Sequence, residues 1–353
     1  MKIAFLNDTH CGIRNSSEIF LDNAEKFYNE LFFPYLIENN ISHIIHLGDY
    51  YDNRKFINFR SLNRNRKMFL NKLREHQITM DIILGNHDTY YKNTNDLNSL
   101  KELLGHYMDE VNIIHEPTTM NYDGLDFALV PWINPNNEKK SIEFIKNTPA
   151  IYLGGHFDIL GFEMIKGVES THGLDPSIFD RFHGVYSGHY HVKSSKDNIH
   201  YLGSQMEFFW NDAHNNKYFH IFDTNTKEMD AILNPFTLFH RIYYDDTDTD
   251  YMQFDFSKVN NKFVKIVVIN KKDLFTFDRF IDKIQSCEIH ELKIQENFTE
   301  FVGDNVDDEN VLLEDTNTLL NSYIDGVDTE LDKDRIKTQM HNLMVEAQTL
   351  EIS

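Results

Sequence analysis

The sequence predicts an α/β fold for residues 1–235, built on an open sheet. Short apolar runs rich in Ile and Val alternate there with helical patterns such as 17–37, as expected when strands are joined by crossover helices. Several runs also stop abruptly at Gly followed by Asp, His or Asn, as in TMDIILGNHDTYY at 79–91. Such polar side chains pack poorly in a core, so the strand ends are expected to form a functional site.

The residues after this domain predict a second, smaller unit over 236–298. Strand patterns at 261–270 and 288–296 flank an amphipathic helix pattern at 274–286, which indicates a small β-α-β domain with its own modest core. The stretch 234–246 is interpreted as the crossing from one domain to the next.

Residues 299–353 form a tail of different character. It opens with an acidic stretch without Lys or Arg, which predicts a solvated linker. Two amphipathic helix patterns follow, and the second begins with a predicted capping box from Thr329 to Asp332. Its apolar stripe consists of Ile336, Met340, Leu343, Met344, Ala347 and Leu350. The pattern alone allows the stripe either to fold back on its own domain or to dock on a partner.

Composition limits the possible functions. The chain has 353 residues and a net charge of −22, which argues against binding nucleic acid by bulk attraction. A polyanionic substrate would need metal ions, a local basic patch or a basic partner. We expect no signal peptide and no membrane contact, because no run approaches the roughly 18–20 apolar residues of a membrane span. Two cysteines, Cys11 and Cys287, give no disulfide framework, which favours the cytoplasm.

The same strand-end pattern occurs five times in the first domain. The polar residues at the five ends are Asp8 and His10; Asp49 and Asp52; Asn86, His87 and Asp88; His156; and His189 and His191. The carboxyl ends of neighbouring strands lie along one edge of an open α/β sheet, where ligands bind. A single Asp or His at a strand end more often has a structural role. Five strand ends that carry such residues in this order along the chain favour one shared site.

The residue types in this set are those of a metal centre. Carboxylate, imidazole and amide oxygen suit Mn²⁺, Fe, Zn²⁺ or Mg²⁺, and the set contains no thiolate. Seven of these ten residues acting as ligands would be too many for one ion but would fit two ions that share a bridging carboxylate. Two such ions can promote in-line attack at phosphorus. Asn86 and His87 are adjacent, so one can bind metal while the other faces the substrate.

These motifs resemble those of the calcineurin-like metallophosphoesterase superfamily over residues 1–235. Within it, the motif spacing, the added β-α-β unit and the helical tail are similar to SbcD-type DNA repair nucleases, the meiotic recombination eleven family. The segments GNHDTYYKN, LVPWINPNNE and HGLDPS are most similar to the recombination endonuclease subunits of T-even-like phages. The resemblance implies a four-layer α/β/β/α sandwich, a small DNA-binding capping domain, and C-terminal helices that bind an SbcC-type coiled-coil ATPase.

The resemblance also implies a role for each residue. One metal ion would be held by Asp8, His10 and His191, the other by Asn86, His156 and His189, with Asp49 bridging them. His87 would face the substrate and stabilise developing charge or protonate the leaving 3′ oxygen, and Asp88 would orient it. Cellular relatives often have His where this chain has Asp52, so no family role can be carried over to Asp52.

The expected activity is Mn²⁺-dependent cleavage of DNA, as an exonuclease on duplex and an endonuclease on single strands, with Mg²⁺ as the alternative metal. We also expect a homodimer, in the host cell cytoplasm if the chain is phage-encoded. Two other hypotheses are a phosphatase of the same fold, acting on phosphoproteins or small phosphoesters, and a non-catalytic scaffold. The complete set of ligands argues against the scaffold.

A basic stretch at 53–74 favours DNA over smaller phosphoesters. It contains Arg54, Lys55, Arg60, Arg64, Arg66, Lys67, Lys72 and Arg74 with no acidic residue between them. The alternatives are an ordinary solvated helix face, or a dimer contact through a helix that carries Phe59, Leu62, Met68 and Leu73.

Overall fold

The computed structural model describes residues 1–165 and 167–296. In the C-terminal segment it describes only Ile324, Asp332, Lys333, Arg335, Ile336, Lys337, Gln339 and Met340. The chain divides into two compact units, Met1–Glu300 and Phe301–Ser353. Among the described residues, no helix combines the length and the apolar character needed to cross a membrane.

The strands of the larger unit are numbered in chain order. They are β1 (Lys2–Leu6), β2 (His43–His46), β3 (Thr79–Ile83), β4 (Val111–Ile114), β5 (Thr118–Tyr122), β6 (Leu125–Val130), β7 (Tyr152–His156), β8 (Glu163–Ile165), β9 (Val168–Glu169), β10 (Gly184–Gly188), β11 (Ser194–Lys196), β12 (Ile199–Tyr201), β13 (Lys217–Asp223), β14 (Glu228–Asn234), β15 (Phe239–Asp245), β16 (Phe263–Asn270) and β17 (Glu291–Glu296).

The helices lie mainly between these strands. The α-helices are Glu18–Lys26, Phe33–Glu38, Phe59–Asn65, Asn71–Glu75, Ser99–Leu103, Glu138–Asn147 and Leu274–Gln285, and the π-helical segments are Phe27–Phe32 and Arg66–Leu70. The 3₁₀ turns are Gly105–Tyr107, Pro176–Phe179, Trp210–Asp212, Tyr251–Gln253 and Phe256–Val259. A short turn, Ile13–Ser16, has left-handed backbone at Arg14 and Asn15.

Two six-stranded sheets form the centre of the larger unit. The strand orders are β14-β13-β1-β2-β3-β4 and β11-β12-β10-β7-β6-β5. β1 to β4 are mutually parallel, as are β6, β7, β10 and β12, whereas β13, β14, β5 and β11 pair antiparallel. The central parallel strands are almost continuous buried apolar runs, as expected for strands covered on both faces.

The two sheets pack face to face and helices cover their outer faces. Between the sheets, the Phe5 ring lies 6.1 Å from Phe127 and 5.8 Å from Tyr186. A second core joins the first sheet to the helical stretches that carry Phe32 and Phe69, and a third includes Ile145 outside the second sheet. The predicted α/β class and the α/β/β/α layer order are therefore confirmed.

A third sheet, β15-β16-β17, lies in the C-terminal part of the larger unit and is entirely parallel. With the helix Leu274–Gln285 it encloses its own core, which includes Tyr244, Ile266 and Phe280. The predicted β-α-β unit is present. In the stretch 234–246, where a crossing between domains is predicted, the chain passes from the end of β14 in the first sheet to β15 of this third sheet. The domain limits 236–298 stay a prediction.

The described part of the tail contains a helix start. The Asp332 carboxylate accepts a hydrogen bond from the backbone N–H of Arg335 at 3.2 Å, and the Ile336 N–H donates to the Asp332 carbonyl at 3.1 Å. Asp332 is thus the capping residue here, whereas Thr329, the predicted start of the capping box, lies outside the described residues. The acidic linker and the other stripe positions, Leu343, Met344, Ala347 and Leu350, also lie outside them.

Candidate metal centre

The ends of five parallel strands bring the predicted polar residues to one edge of the double sheet. β1, β2 and β3 belong to the first sheet, and β7 and β10 to the second. The residues that lie at or just beyond these five ends are Asp8, Asp49, Asn86, His156 and His189, and all are buried. The site therefore depends on the two sheets stacking with their carboxyl ends on the same side.

The backbone at this edge is strained. The φ angle is 48° at Asp8, 40° at His10, 54° at Asp49 and 88° at His189. Left-handed backbone at a residue other than Gly costs on the order of 1–3 kcal/mol and persists only where its surroundings enforce it. Hydrogen bonds between the loops do so here: Asp8 N–H donates to the Gly48 carbonyl at 2.9 Å, and His10 N–H to the Asp49 carbonyl at 3.1 Å.

One group of side chains consists of Asp8, His10 and His191. The Nε2 atoms of His10 and His191 are 3.1 Å apart. The Asp8 carboxylate oxygen Oδ1 lies 3.9 Å from His10 Nε2 and 4.0 Å from His191 Nε2. Two imidazole nitrogens and a carboxylate oxygen therefore converge on a common point, an arrangement that could hold a metal ion.

A second group consists of Asn86, His156 and His189 beside Asp49. The Asn86 amide oxygen lies 2.9 Å from His156 Nε2 and 3.1 Å from His189 Nδ1. His156 Nδ1 donates to the Leu47 carbonyl at 2.7 Å, which leaves Nε2 as the ring atom that faces the group. Fixing one ring nitrogen in this way is how proteins orient metal-binding histidines.

Asp49 lies between the two groups. Its Oδ2 atom is 3.8 Å from His10 Nε2 in the first group and 3.3 Å from His156 Nε2 in the second. Its Oδ1 atom accepts a hydrogen bond from the backbone N–H of His87 at 2.8 Å. One oxygen is thus held by the protein while the other faces both groups.

The electrostatics of the site favour bound cations. Burial alone would lower the pKa of His10, but the hydrogen bond to Asp52 and the charges of Asp49, Asp52 and Asp8 raise it to about 9. Burial likewise opposes the charged form of His156, yet Asp49 and Asp8 raise its pKa to about 9. The carboxylates thus attract positive charge strongly enough to overcome desolvation.

The site fits divalent metal ions on its donor chemistry. Burial holds the pKa values of His189 and His191 well below the usual range, so both rings are neutral, as a metal ligand must be. Nitrogen and oxygen donors without thiolate suit borderline and hard divalent ions.

His87 and Asp52 lie at the edge of the first group. His87 Nδ1 donates to the Asp52 carbonyl at 2.6 Å, and the His87 ring makes an edge contact with His10 at 4.9 Å between centroids. The Asp52 carboxylate oxygen Oδ1 lies 3.4 Å from His10 Nδ1. Asp52, which had no family role, therefore orients both histidines, one through its carboxylate and the other through its carbonyl.

Asp88 has a different role from the predicted one. We expected its carboxylate to orient His87, but the orienting contact comes from the Asp52 carbonyl. Asp88 is buried, and its oxygens accept hydrogen bonds from the backbone N–H groups of Gly85 at 2.9 Å and Tyr50 at 3.0 Å. Its carboxylate thus joins the loop after β2 to the loop after β3. Buried backbone donors require such acceptors, which explains why the carboxylate points away from His87.

At least four of the eight basic residues in the stretch 53–74 form ion pairs with acidic residues of the chain. Arg64 donates to Glu18 at 2.8 Å and to Asp22 at 2.7 Å, and it also binds Glu25. Three more ion pairs are Arg60 with Glu18, Lys72 with Glu75, and Arg74 with Glu110. These pairs could not be predicted from the local sequence, because most of the acidic partners are distant in sequence from the basic stretch. The stretch therefore offers less uncompensated positive charge than its composition indicates.

The apolar side chains of the same stretch mostly face the core. Leu62, Met68 and Leu73 are buried, whereas Phe59 is 85% exposed and Phe56 is 67% exposed. A dimer contact by this helix would therefore use Phe56 and Phe59 and not the full predicted set.

Sequence reasoning missed the aromatic wall of the site. Trp132 lies just beyond the end of β6, a sixth strand end, and its ring is 5.3 Å from that of His189 and 5.9 Å from that of His156. Phe208 packs 5.6 Å from both His10 and His191. The run LVPW was a usable signal for Trp132, because it has the same apolar run and abrupt stop as the other strand ends.

The double sheet, with two adjoining groups of carboxylate, amide and imidazole side chains at its strand ends, has the architecture expected of a metal-dependent phosphoesterase. The chain belongs to the calcineurin-like phosphoesterase family, which it matches over residues 1–193.

The chain is also similar to individual proteins. The chain is 30% identical over 354 residues to the exonuclease subunit 1 of enterobacteria phage T4, which covers 98% of this chain and 99% of that protein. Among solved structures it is similar to an archaeal phosphodiesterase, at 16% identity with a TM-score of 0.35 over 66% of this chain and 100% of that one. It is also similar to the protein TT1561 of Thermus thermophilus, at 12% identity with a TM-score of 0.39 over 66% of this chain and 98% of that one.

Gly85 provides a test of how tightly Asp49 is held. A Cβ atom at Gly85 would lie 2.2 Å from Asp49 Oδ1 and 2.3 Å from its backbone nitrogen, whereas a Cβ at Gly105 has no atom within 4 Å. Gly85→Ala must therefore displace Asp49, and we expect Mn²⁺ binding measured by isothermal titration to fall at least about tenfold, the scale seen when support of a ligand is lost. Gly105→Ala is the matched control. Parent-like Mn²⁺ affinity in Gly85→Ala would contradict the bridging position of Asp49.

Proposed function

We propose that the chain is a two-metal phosphodiesterase that hydrolyses DNA and that it is the nuclease subunit of a recombination and repair complex. The observation that carries the proposal is the position of Asp49, whose Oδ2 atom faces His10 at 3.8 Å and His156 at 3.3 Å. A carboxylate in this position can be shared by two ions. The proposed metal is Mn²⁺, with Mg²⁺ as the alternative.

The proposed ligands form two sets around Asp49. Asp8, His10 and His191 would hold one ion, and Asn86, His156 and His189 the other. Two divalent ions bound side by side supply positive charge that stabilises both the attacking and the leaving oxygen in a displacement at phosphorus. The protein contributes rigid placement, since backbone hydrogen bonds fix the loops that carry Asp8, His10 and Asp49.

His87 is the proposed catalytic residue that is not a metal ligand. Its backbone N–H is held by Asp49 and its Nδ1 proton by the Asp52 carbonyl. Because Nδ1 donates to the Asp52 carbonyl, Nε2 is the ring atom left for the substrate. When the ring is an imidazolium, Nε2 carries the proton that it can give to the leaving 3′ oxygen, and its charge can stabilise that oxygen. Asp88 acts indirectly, by joining the loop after β3, which carries His87, to the loop after β2.

DNA is the proposed substrate for two reasons. The phage T4 protein that aligns with nearly the whole chain is an exonuclease subunit. In addition, Phe56 and Phe59 are strongly exposed just beyond the Asp49–Asp52 loop, and exposed aromatic rings among basic residues are a common platform for nucleic-acid bases. The extensive ion pairing of 53–74 implies that much of the positive charge for DNA comes from the metal ions and from a partner.

The proposed partner is an SbcC-type coiled-coil ATPase, bound through the C-terminal helices. The name of the T4 protein, exonuclease subunit 1, indicates that it works in a complex. In this chain the Ile336 and Met340 positions of the apolar stripe are helical. An amphipathic helix of this kind suits docking into an apolar groove. A homodimer is part of the same proposal; a dimer contact through Phe56 and Phe59 would be the alternative to base stacking by these rings.

The substrate class is tested by a Mn²⁺-dependent cleavage assay on three substrates: labelled duplex DNA, labelled single-stranded DNA and p-nitrophenyl phosphate. We expect both DNAs to be cleaved and the monoester to be untouched, because the site is proposed to act on a phosphodiester. Asp49→Asn should abolish cleavage more completely than any single change at a terminal ligand, since it affects both ions. Hydrolysis of the monoester without DNA cleavage would favour the phosphatase hypothesis, and no turnover with both ions bound would favour the scaffold.

His87→Ser separates chemistry from binding. Removing the imidazole should leave Mn²⁺ and DNA affinity near the parent values while cleavage falls about 10²–10⁴-fold, the usual contribution of general acid–base catalysis. His106→Ser is the control, because it removes an exposed imidazole outside the site. Single-turnover cleavage and DNA binding with Ca²⁺ in place of Mn²⁺ give the two measurements. Cleavage within a few-fold of the parent would show that His87 is structural.

Ending the chain at Asp328 tests the role of the tail. We expect the shortened protein to retain its metal ions and cleave single strands but to fail to co-purify with the ATPase, because the apolar stripe is removed. The full-length variant Ile336→Glu/Met340→Glu should behave in the same way. The docking hypothesis is wrong if the shortened protein is insoluble or melts much earlier when alone, which would show that the helix packs on its own chain.

A further inference from the structure

A buried ion pair lies behind the first group of donors, formed by Lys217 and Asp212. Lys217 Nζ and Asp212 Oδ1 are 2.5 Å apart, and both side chains are almost completely buried, at 3% and 4% exposure. Lys217 begins β13, which runs antiparallel to β1 with Phe5 opposite His220. This direction brings the start of β13 to the same sheet edge as the end of β1, where Asp8 and His10 lie.

Lys217 holds the backbone of a proposed metal ligand. Its Nζ donates to the carbonyl of His191 at 2.9 Å, and the backbone N–H of Ser204 donates to the same oxygen at 3.2 Å. His191 follows His189 at the end of β10, and its side chain needs a fixed backbone to keep Nε2 facing His10 at 3.1 Å. The Lys217 contact fixes that backbone directly.

Asp212 holds the rings that pack on the same ligand. Its Oδ2 atom accepts hydrogen bonds from the backbone N–H groups of Phe208 at 2.8 Å and Phe209 at 3.0 Å. The Phe209 ring stacks on the imidazole of His191 with an interplanar angle of 10° and a centroid distance of 5.9 Å. The ion pair therefore controls His191 from two sides, through its carbonyl and through its ring.

A buried ion pair such as this one need not increase the stability of the fold. Taking two charges out of water costs several kcal/mol per ion, and well-packed apolar residues often replace a buried pair without loss of stability. The contacts of this pair all converge on His191 and on the segment that covers it. Positioning of the ligand is a function that apolar side chains would not supply.

We propose that Lys217 and Asp212 are positioning residues that set the affinity of the ion bound by Asp8, His10 and His191. This inference rests on the proposed two-metal function. The ion at Asn86, His156 and His189 should be insensitive to the pair, because none of the described contacts of Lys217 or Asp212 reaches those residues.

The test uses the double variant Lys217→Met/Asp212→Asn. It removes both buried charges together, keeps side-chain volume, and breaks the Lys217 hydrogen bond to the His191 carbonyl. An amide oxygen still accepts from the Phe208 and Phe209 N–H groups, so the loss reports the Lys217 contact and not a collapse of that segment. The control is Glu207→Gln, in the same segment. Glu207 is also buried and accepts from two backbone N–H groups, but those belong to Leu238 and Phe239 at the start of β15. Both variants are compared with the full-length parent by Mn²⁺ titration and electron paramagnetic resonance.

The parent and Glu207→Gln should bind two Mn²⁺ ions and show the signal of an exchange-coupled pair. The double variant should bind one ion with parent affinity and the other about 10–100-fold more weakly, which is the range for loss of ligand support, and its coupled signal should be replaced by that of isolated Mn²⁺. Parent-like binding of both ions in the double variant would overturn the inference, and so would equal loss in Glu207→Gln. A parent without a coupled pair would instead contradict the proposed two-metal function.

Discussion

The Asp49 carboxylate lies between the two groups of side chains in the site, and the surrounding structure holds it there. Its backbone is left-handed, with φ of 54°, and its Oδ1 atom is fixed by the His87 N–H. Gly85 allows the β3 loop to approach so closely that no Cβ fits. Asp88 then binds this loop to the one after β2. These contacts leave Oδ2 free to face both donor groups.

A buried cluster of carboxylates and imidazoles is costly for a folded protein unless cations complete it. The surrounding carboxylates raise the pKa of His10 and of His156 to about 9, although both rings are buried. Protonation of these rings therefore partly neutralises the buried negative charge. Divalent ions would neutralise the buried carboxylates more completely than protons do. The outer contacts serve the same purpose, since Asp52 orients His10, the Leu47 carbonyl orients His156, and Lys217 holds the backbone of His191.

Much of this arrangement could be predicted from sequence because its signals are local. Each apolar run that ends in Gly and a polar residue predicts both a strand and a potential ligand, so Asn86 and His189 could be placed at the sheet edge without a structure. Three other features depend on tertiary contacts. They are the hydrogen bonds of the Asp88 carboxylate to two loops, the ion pairs of Arg64, and the hydrogen bond of Lys217 to the His191 carbonyl. Their partners lie in other elements and leave no pattern in the local sequence. β15 is not predicted, although its aromatic and β-branched residues are typical of a strand, because the stretch is interpreted as a crossing between domains.

The most direct measurement of the central claim is anomalous diffraction from crystals soaked in Mn²⁺. We expect two peaks, roughly 3.5–4 Å apart, on either side of Asp49 Oδ2. One peak should lie within bonding distance of His10 and His191 and the other of His156 and His189, with the His87 ring outside both coordination shells. A single peak in the fully active protein, or two peaks that do not share Asp49, would contradict it.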